Sequence, residues 1–271
     1  MDRYVVIGNP VGHSLSPLIH ARFAEQTGDA IEYGRLLVPE GAFAEHARAF
    51  FAGGGRGANV TLPFKVDAFE FADVASERSR IAGAVNFLMA RGDRIHADNT
   101  DGAGLVADLS RNLGVDLRGA SILLVGAGGA ARGVIAPLLG EKPVRLVIAN
   151  RTAARAEELA RRFAALGAVE ACALDAIPAS QFDIVLNATS TSTRGERLAL
   201  PRSVLDNAAL AYDMAYGPAA RAFVDEARSL GARASDGLGM LVEQAAESFL
   251  AWRGRRPETG AVLAELRARE P

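Results

Sequence analysis

Apolar positions in this chain gather in short runs, and between the runs they recur with helical spacing. In the first part of the chain Arg3–Gly8, Ile31–Val38, Gly57–Thr61, Val85–Ala90 and Arg94–Ala97 read as strands. They are rich in aliphatic residues and bounded by Gly, Asn and Pro. Ser16–Thr27, Glu40–Ala52, Pro63–Phe71 and Val74–Ala82 read as amphipathic helices. Alternation of this kind predicts βαβ units and a largely parallel sheet. Asp101-Gly102 opens a further helical stretch, Ala103–Leu113. The loop after it, Gly114-Val115-Asp116-Leu117-Arg118-Gly119, is read as the crossing into a second domain.

The second alternating set is punctuated more sharply. Strands are predicted at Ser121–Val125, Arg145–Ala149, Val169–Ala173, Asp183–Asn187, Leu210–Asp213 and near Ala232–Ala234, with helices at Ala130–Leu139, Thr152–Leu166, Arg202–Leu205 and Ala219–Leu230. Six strands with crossovers that cover both faces describe a doubly wound nucleotide-binding domain. The tail, Leu238–Trp252 and Glu258–Arg267, reads as two helices with no further strand. The expected fold is therefore α/β in two domains. An N-terminal substrate domain over residues 1–101 is completed by the C-terminal helices 238–271, and a Rossmann-type domain spans 102–237.

Composition narrows the classes. The chain has 271 residues, 49% hydrophobic and 23% charged, enough to bury two cores. A formal net charge of −2 gives no electrostatic case for nucleic acid or an anionic membrane. The single cysteine, Cys172, excludes an internal disulfide framework, and four histidines without paired spacing give no metal site. The amino-terminal apolar run is too short for a signal peptide, so a soluble cytoplasmic protein is expected. Of the 30 basic residues 28 are arginine; the two lysines are Lys142, in a polar loop, and Lys65, in the string NVTLPFK at 59–65. Only lysine can plausibly give up a proton inside a protein, which singles out Lys65.

The string SILLVGAGGAARG at 121–133 carries Gly126-x-Gly128-x-x-Ala131 between a buried-strand pattern and a helix start. Gly126 permits the tight turn, Gly128 lets a pyrophosphate approach the backbone, and Ala131 allows close helix–strand packing. The next strand closes as VIANRT, with Asn150, Arg151 and Thr152, then Arg155, where an NAD site usually places an acid. Two arginines and no carboxylate suit a 2′-phosphate, so NADP(H) is preferred. The alternative is two solvated arginines at a helix start, where their charge would oppose the dipole.

Polar strings mark the ends of the predicted strands in the first domain: GNPVGHSLSP (8–17), NVTLPFK (59–65), AGAVN (82–86) and DNTDG (98–102). Each alone has a plain structural reading, Ser16-Pro17 as an N-cap with Pro at N1, and Asp98 or Asp101 as a cap. Together with GAGGAA, NRT, NATS (187–190), YDMAY (212–216) and GLGMLVEQAA (237–246), the chain closely resembles the shikimate dehydrogenase family from Gly8 to about Trp252.

The resemblance implies a reversible NADPH-dependent reduction of 3-dehydroshikimate to shikimate, on the route to chorismate and the aromatic amino acids. It matches Lys65 and Asp101 to the catalytic pair. Ser14 and Ser16 match the serines that hold the substrate carboxylate, while Thr61, Asn86, Gln244 and Tyr216 match groups that hold the rest of the ring. On the cofactor side it matches Gly126, Ala127, Gly128, Gly129 and Ala130 to the phosphate loop and Asn150, Arg151, Thr152 and Arg155 to the adenosine-phosphate clamp. Thr189, Met214 and Gly237 match positions at the nicotinamide end. A homodimer is a family expectation only.

The chain departs from the family pattern at Phe87, where a threonine commonly follows the asparagine, at Ala97, and after YDM, where no basic residue occurs before Arg221. Two rival readings stay open at this point. One is an NAD-dependent quinate/shikimate dehydrogenase; the other is a non-catalytic NADP- or ligand-sensing module on the same fold. Two influences act oppositely on Lys65: a helix starting at Pro63 disfavours an ammonium in its first turn, and a nearby Asp101 favours it.

Overall fold

The structure, a computed structural model, describes all residues except 179, 180, 207, 270 and 271. It divides into two compact units, one of Met1–Gly104 with the chain from Leu241 onward, the other of Leu105–Met240. No helix among the described residues is long and apolar enough to cross a membrane.

The first unit opens with β1 (Asp2–Gly8), α1 (Ser16–Thr27), β2 (Ile31–Leu37), α2 (Phe43–Ala52) and β3 (Gly55–Val60). It continues through α3 (Lys65–Phe71), β4 (Val74–Ala75), α4 (Glu77–Ala82), β5 (Phe87–Arg91), β6 (Arg94–Asp98) and the start of α5 (Asp101–Ala107). Its sheet has the order β2-β1-β3-β5-β6-β4. β1 runs parallel to β2 and β3, but β5 is antiparallel to both β3 and β6. The sheet is thus largely parallel, as expected, except that β5 alone runs against the other five strands. The reason is local: Gly92-Asp93 leaves only a two-residue link between paired Arg91 and Arg94, which can close a hairpin but not a parallel crossover.

Three expectations are corrected here. The stretch Val74–Ala82 begins as the two-residue strand β4, and its helix starts only after Ser76, whose side chain accepts from the Ser79 amide. α1 begins at Ser16 with Leu15 at its N-cap, so Ser16 is the first helical residue and not the cap. α3 begins at Lys65, because Leu62, Pro63 and Phe64 form a turn ahead of it.

The apolar core of this unit lies between the sheet and its helices, around Ile7, Phe43, Val60, Phe64 and Leu88. A second packing centre is aromatic. Trp252, on α10 (Leu238–Arg253), lies 4.6 Å from the Tyr4 ring and 5.2 Å from Phe87, and donates from Nε1 to the Leu88 carbonyl at 3.1 Å. Gly57 on β3 makes this possible, since a Cβ there would stand 2.3 Å from the indole nitrogen. Phe87, where the family commonly has threonine, is buried in this stack. Arg253 adds ion pairs to Asp2 and Asp29, and Arg22 of α1 pairs with Glu265 on α11 (Gly260–Arg269).

The second unit contains β7 (Ser121–Val125), α6 (Gly129–Gly140), β8 (Arg145–Asn150), α7 (Ala153–Phe163), β9 (Val169–Ala173) and β10 (Ile184–Asn187). Then come α8 (Arg202–Leu205), β11 (Leu210–Asp213), α9 (Arg221–Ser229) and β12 (Ala234–Ser235). All six strands are parallel in the order β12-β11-β10-β7-β8-β9, a doubly wound sheet with its switch point between β10 and β7. β7 and β10 are buried along their whole length, which is why they read as uninterrupted aliphatic runs.

The chain passes between the units within α5, ahead of the Gly114–Gly119 loop expected to be the crossing. The π-helical turn that continues α5, Asp108–Asn112, already belongs to the second unit. Buried Asp108 anchors it there by accepting from the Tyr212 hydroxyl at 2.6 Å.

Candidate active site

At the carboxyl ends of β1, β2 and β3 the loops are tied to one another. Asn9 donates from its amide to the Leu62 carbonyl at 2.9 Å and from Nδ2 to the Val38 carbonyl at 3.0 Å. Gly8 is needed here, since a Cβ would meet the Thr61 methyl at 2.4 Å. Thr61 follows β3 directly and Lys65 opens α3 four residues later, so both are carried at the same edge of the sheet.

Lys65 Nζ lies 2.5 Å from Asp101 Oδ2, with the two side chains 13% and 7% exposed. Asp101 opens α5, a favourable place for a carboxylate. Its other oxygen, Oδ1, accepts from Asn86 Nδ2 at 2.8 Å, and its amide donates to Asn99 Oδ1 at 3.1 Å. Asn86 also lies 3.2 Å from Gln244 Oε1 on α10, and its own Oδ1 accepts from the Thr100 amide at 2.7 Å. Asn86, Asp101 and Gln244 are all buried.

The network continues through residues that the sequence did not single out. Thr100 Oγ1 lies 3.3 Å from Ser248 Oγ, and Ser248 accepts from Asn59 Nδ2 at 2.9 Å. Asn59 Oδ1 in turn accepts from the Tyr33 hydroxyl at 2.7 Å. Burial pushes that phenol well above its ordinary pKa, with a hydrogen bond to Ser16 as the offsetting influence. Ser14 Oγ lies 3.2 Å from Ser16 Oγ and accepts from the Ser16 amide at 3.3 Å. A continuous polar path thus joins Lys65 and Asp101 to the Tyr33 hydroxyl. Asn59 and Thr100 stand inside strings already noted, NVTLPFK and DNTDG, so their neighbours were the available signal. Tyr33 carried none.

In the second unit Asn150, matched to a cofactor, closes β8, and the other residues so matched follow the carboxyl ends of strands. Gly126–Ala130 follow β7, Arg151–Arg155 follow β8, Thr189 follows β10, Met214 follows β11 and Gly237 follows β12. Gly126 has φ +117°, and a Cβ there would lie 3.0 Å from the Ala188 carbonyl carbon, so the first glycine of the turn has no substitute. A Cβ on Gly128 would meet nothing within 4 Å, leaving the open approach to the α6 amino terminus that a pyrophosphate needs. Ala131 is fully buried against the sheet.

Arg151 and Arg155 are exposed at the start of α7, whose first turn holds no acid, and neither forms an ion pair among the described residues. That donor set fits a 2′-phosphate better than a ribose hydroxyl.

The loops that carry Thr189 and Met214 are held by one buried carboxylate. Asp213 accepts from Asn187 Nδ2 at 2.8 Å, from Ser192 Oγ at 2.6 Å and from the Ala215 amide at 2.8 Å. Asn187 Oδ1 receives the Thr189 hydroxyl at 2.7 Å. Burial pushes the Asp213 carboxyl up to about 6 against these donors. A Cβ on Gly237 would stand 2.5 Å from the Met214 carbonyl oxygen, which fixes glycine at the end of β12. Tyr216 also lies in this unit, after β11, whereas the other residues matched to the substrate lie in the first. No cluster of His, Cys, Asp and Glu able to hold a metal ion occurs among the described residues.

A doubly wound sheet with a glycine turn at its switch point, in one chain with a buried lysine–aspartate pair, defines the class of two-unit NAD(P)-dependent oxidoreductases. Three family descriptions match in chain order: the shikimate dehydrogenase substrate binding domain over residues 6–88, shikimate/quinate 5-dehydrogenase over 108–208, and the shikimate 5′-dehydrogenase C-terminal domain over 237–267. The NADP(+)-named shikimate dehydrogenase of Paracidovorax citrulli (strain AAC00-1) is 56% identical over 272 residues, covering 98% of this chain and 97% of that one. Among solved structures, an Ael1 enzyme from Pseudomonas putida matches with 46% identity, 98% of each chain and a TM-score of 0.90. The shikimate 5-dehydrogenase of Thermus thermophilus, in complex with NADP(H) and shikimate, matches with 30% identity, 99% of each chain and a TM-score of 0.85. The chain belongs to the shikimate dehydrogenase family.

Proposed function

We propose that this protein is an NADP-dependent shikimate dehydrogenase that reversibly reduces 3-dehydroshikimate, with Lys65 and Asp101 as its acid–base pair. The observation that carries the reading is the 2.5 Å contact between Lys65 Nζ and Asp101 Oδ2, in a chain whose other basic residues are almost all arginine.

The bound cofactor supplies the hydride that reduces the substrate ketone. The chain's own residues do the rest. Ser14 and Ser16 donate their hydroxyls to the ring carboxylate. Asn86, Gln244 and Thr61 hold the hydroxyls and orient the ring. Lys65 donates a proton from Nζ to the substrate carbonyl oxygen, where negative charge would develop during the reduction. In the reverse direction the neutral amine takes the hydroxyl proton back. Asp101 holds the lysine head in place, and Asn86, by donating to its second oxygen, holds Asp101. General acid–base help of this kind is worth about 10²–10⁴-fold. Arg151 and Arg155 would pair with the 2′-phosphate, and Gly126–Ala130 would present backbone N–H groups to the pyrophosphate.

One assay separates this reading from its rivals. Absorbance at 340 nm is followed with shikimate or quinate as reductant and NADP or NAD as acceptor. Shikimate with NADP should give the highest kcat/KM of the four pairs. Faster turnover of quinate with NAD would favour the quinate/shikimate alternative. No turnover with any pair would leave a binding module.

A further inference from the structure

Resting on the shikimate reading, we propose that Arg35 is a positioning residue for the substrate carboxylate. It fixes the Ser14 loop and supplies the positive field that makes the site select an anionic ring over a neutral one. The two serines are uncharged, and a carboxylate leaving water for two hydroxyls loses much of its solvation. A cation beside those hydroxyls offsets that loss without touching the ligand.

Arg35 is placed to be that cation. It lies on β2, the edge strand of the first sheet, two residues after Tyr33, so both side chains leave the same face of the strand. Tyr33 reaches the Ser16 side of the loop; Arg35 reaches the Ser14 side, donating from Nη2 to the Ser14 backbone carbonyl at 2.6 Å. One strand face therefore grips both serines. Arg35 forms no ion pair among the described residues, so its charge is not spent on a protein carboxylate. Many other arginines here are so spent: Arg22, Arg78, Arg253 and Arg256 each pair with an acid. A purely structural role would be served by any donor that reaches a carbonyl, and would not call for an uncompensated charge.

The expected size follows from Coulomb's law. A guanidinium hydrogen-bonded to the Ser14 carbonyl would lie on the order of 6–8 Å from a carboxylate held at the Ser14 hydroxyl, given the backbone and side-chain bond lengths between them. With partly solvated screening that separation corresponds to about a three- to thirtyfold change in affinity. Because Arg35 is exposed, added salt should weaken the effect.

The test uses the full-length wild type, Arg35→Gln and Arg35→Lys, with shikimate and its neutral methyl ester. The ester is measured by turnover or as an inhibitor. In Arg35→Gln, KM for shikimate should rise about tenfold, while kcat, KM for NADP and the constant for the ester stay within about twofold. Arg35→Lys should recover most of the loss. Wild-type KM for shikimate should rise with ionic strength, and that slope should flatten in Arg35→Gln. Equal losses for acid and ester would overturn the charge role, and an unchanged KM for shikimate would overturn the proposal altogether. A wild type that turns over neither ligand would instead overturn the shikimate reading, and the inference with it.

Discussion

At the scale of single residues, the proposed acid–base chemistry rests on one amine held by one carboxylate. Asp101 uses both oxygens, one for Lys65 and one for Asn86, and its backbone amide is fixed by Asn99. The lysine head thus has little freedom to leave the position from which it would reach the substrate oxygen. An arginine at 65 would keep the charge and could still pair with Asp101, but it cannot release a proton under working conditions. Lys65→Arg should therefore lower kcat by about 10²–10⁴-fold and leave shikimate affinity within about tenfold, read from steady-state kinetics and from ligand binding to the inactive variant. Near-normal turnover would remove the acid–base role from Lys65. A rise in KM alone would make it an orienting cation.

At the scale of elements, α1 carries a cost that its own sequence does not announce. His20, one turn after Ser16, is fully buried, with its ring 4.2 Å from Tyr33 at 7° and 5.4 Å from Trp252. Neither ring nitrogen reaches a hydrogen-bond partner among the described residues, and burial lowers its pKa to about 3. The unfolded chain then binds a proton near pH 6.5 that the folded chain refuses, so stability falls as pH drops from about 6.5 towards 3. Asp213 works in the opposite sense. Its folded pKa of about 6 exceeds the ordinary 3.8, so between these values stability falls as pH rises. Comparing His20→Phe with wild type isolates the histidine. Between pH 7 and pH 4.5 wild type should lose about 2–3 kcal/mol more than the variant, measured by urea unfolding at each pH. Parallel pH profiles would contradict the assigned burial cost. Such contacts mark the limit of what periodicity reveals. The strands of the second sheet were legible because each is a buried aliphatic run followed by Gly or Asn. Lys65, Asp101 and Asn86 were legible because they stand in motifs. His20, Tyr33 and Arg35 were not, because their partners come from elements distant in sequence. Only the strand order brings β2 beside the serine loop. The reversal of β5 is set by the two-residue link Gly92-Asp93 to β6, a local feature that hydrophobic periodicity does not register.

At the scale of the whole molecule, the two units are built with opposite economies of chain. The second is continuous from Leu105 to Met240, with a parallel sheet whose α6, α7, α8 and α9 all arise between its own strands. The first is discontinuous. It borrows most of α10 and α11 from beyond the second unit, and those helices supply Trp252 to the aromatic stack, Ser248 and Gln244 to the polar network, and Arg253 to Asp2 and Asp29. Without them β1, β3 and β5 would expose Tyr4, Gly57 and Phe87 on a face that α1 covers only in part, a large loss for a unit of this size. The glycine at 57 sharpens the point, since its missing side chain serves only the close approach of the indole. The two units should therefore differ when separated. Residues 105–240 expressed alone should fold cooperatively, giving a dispersed amide spectrum and a single sigmoidal melt. Residues 1–104 alone should remain collapsed without fixed packing, and should gain a cooperative melt when 241–271 is joined to them through a short flexible linker. If 1–104 folds unaided, the C-terminal helices are an accessory to the substrate unit rather than part of its core. Gln244 and Ser248 would then have to be explained as additions to a site already formed.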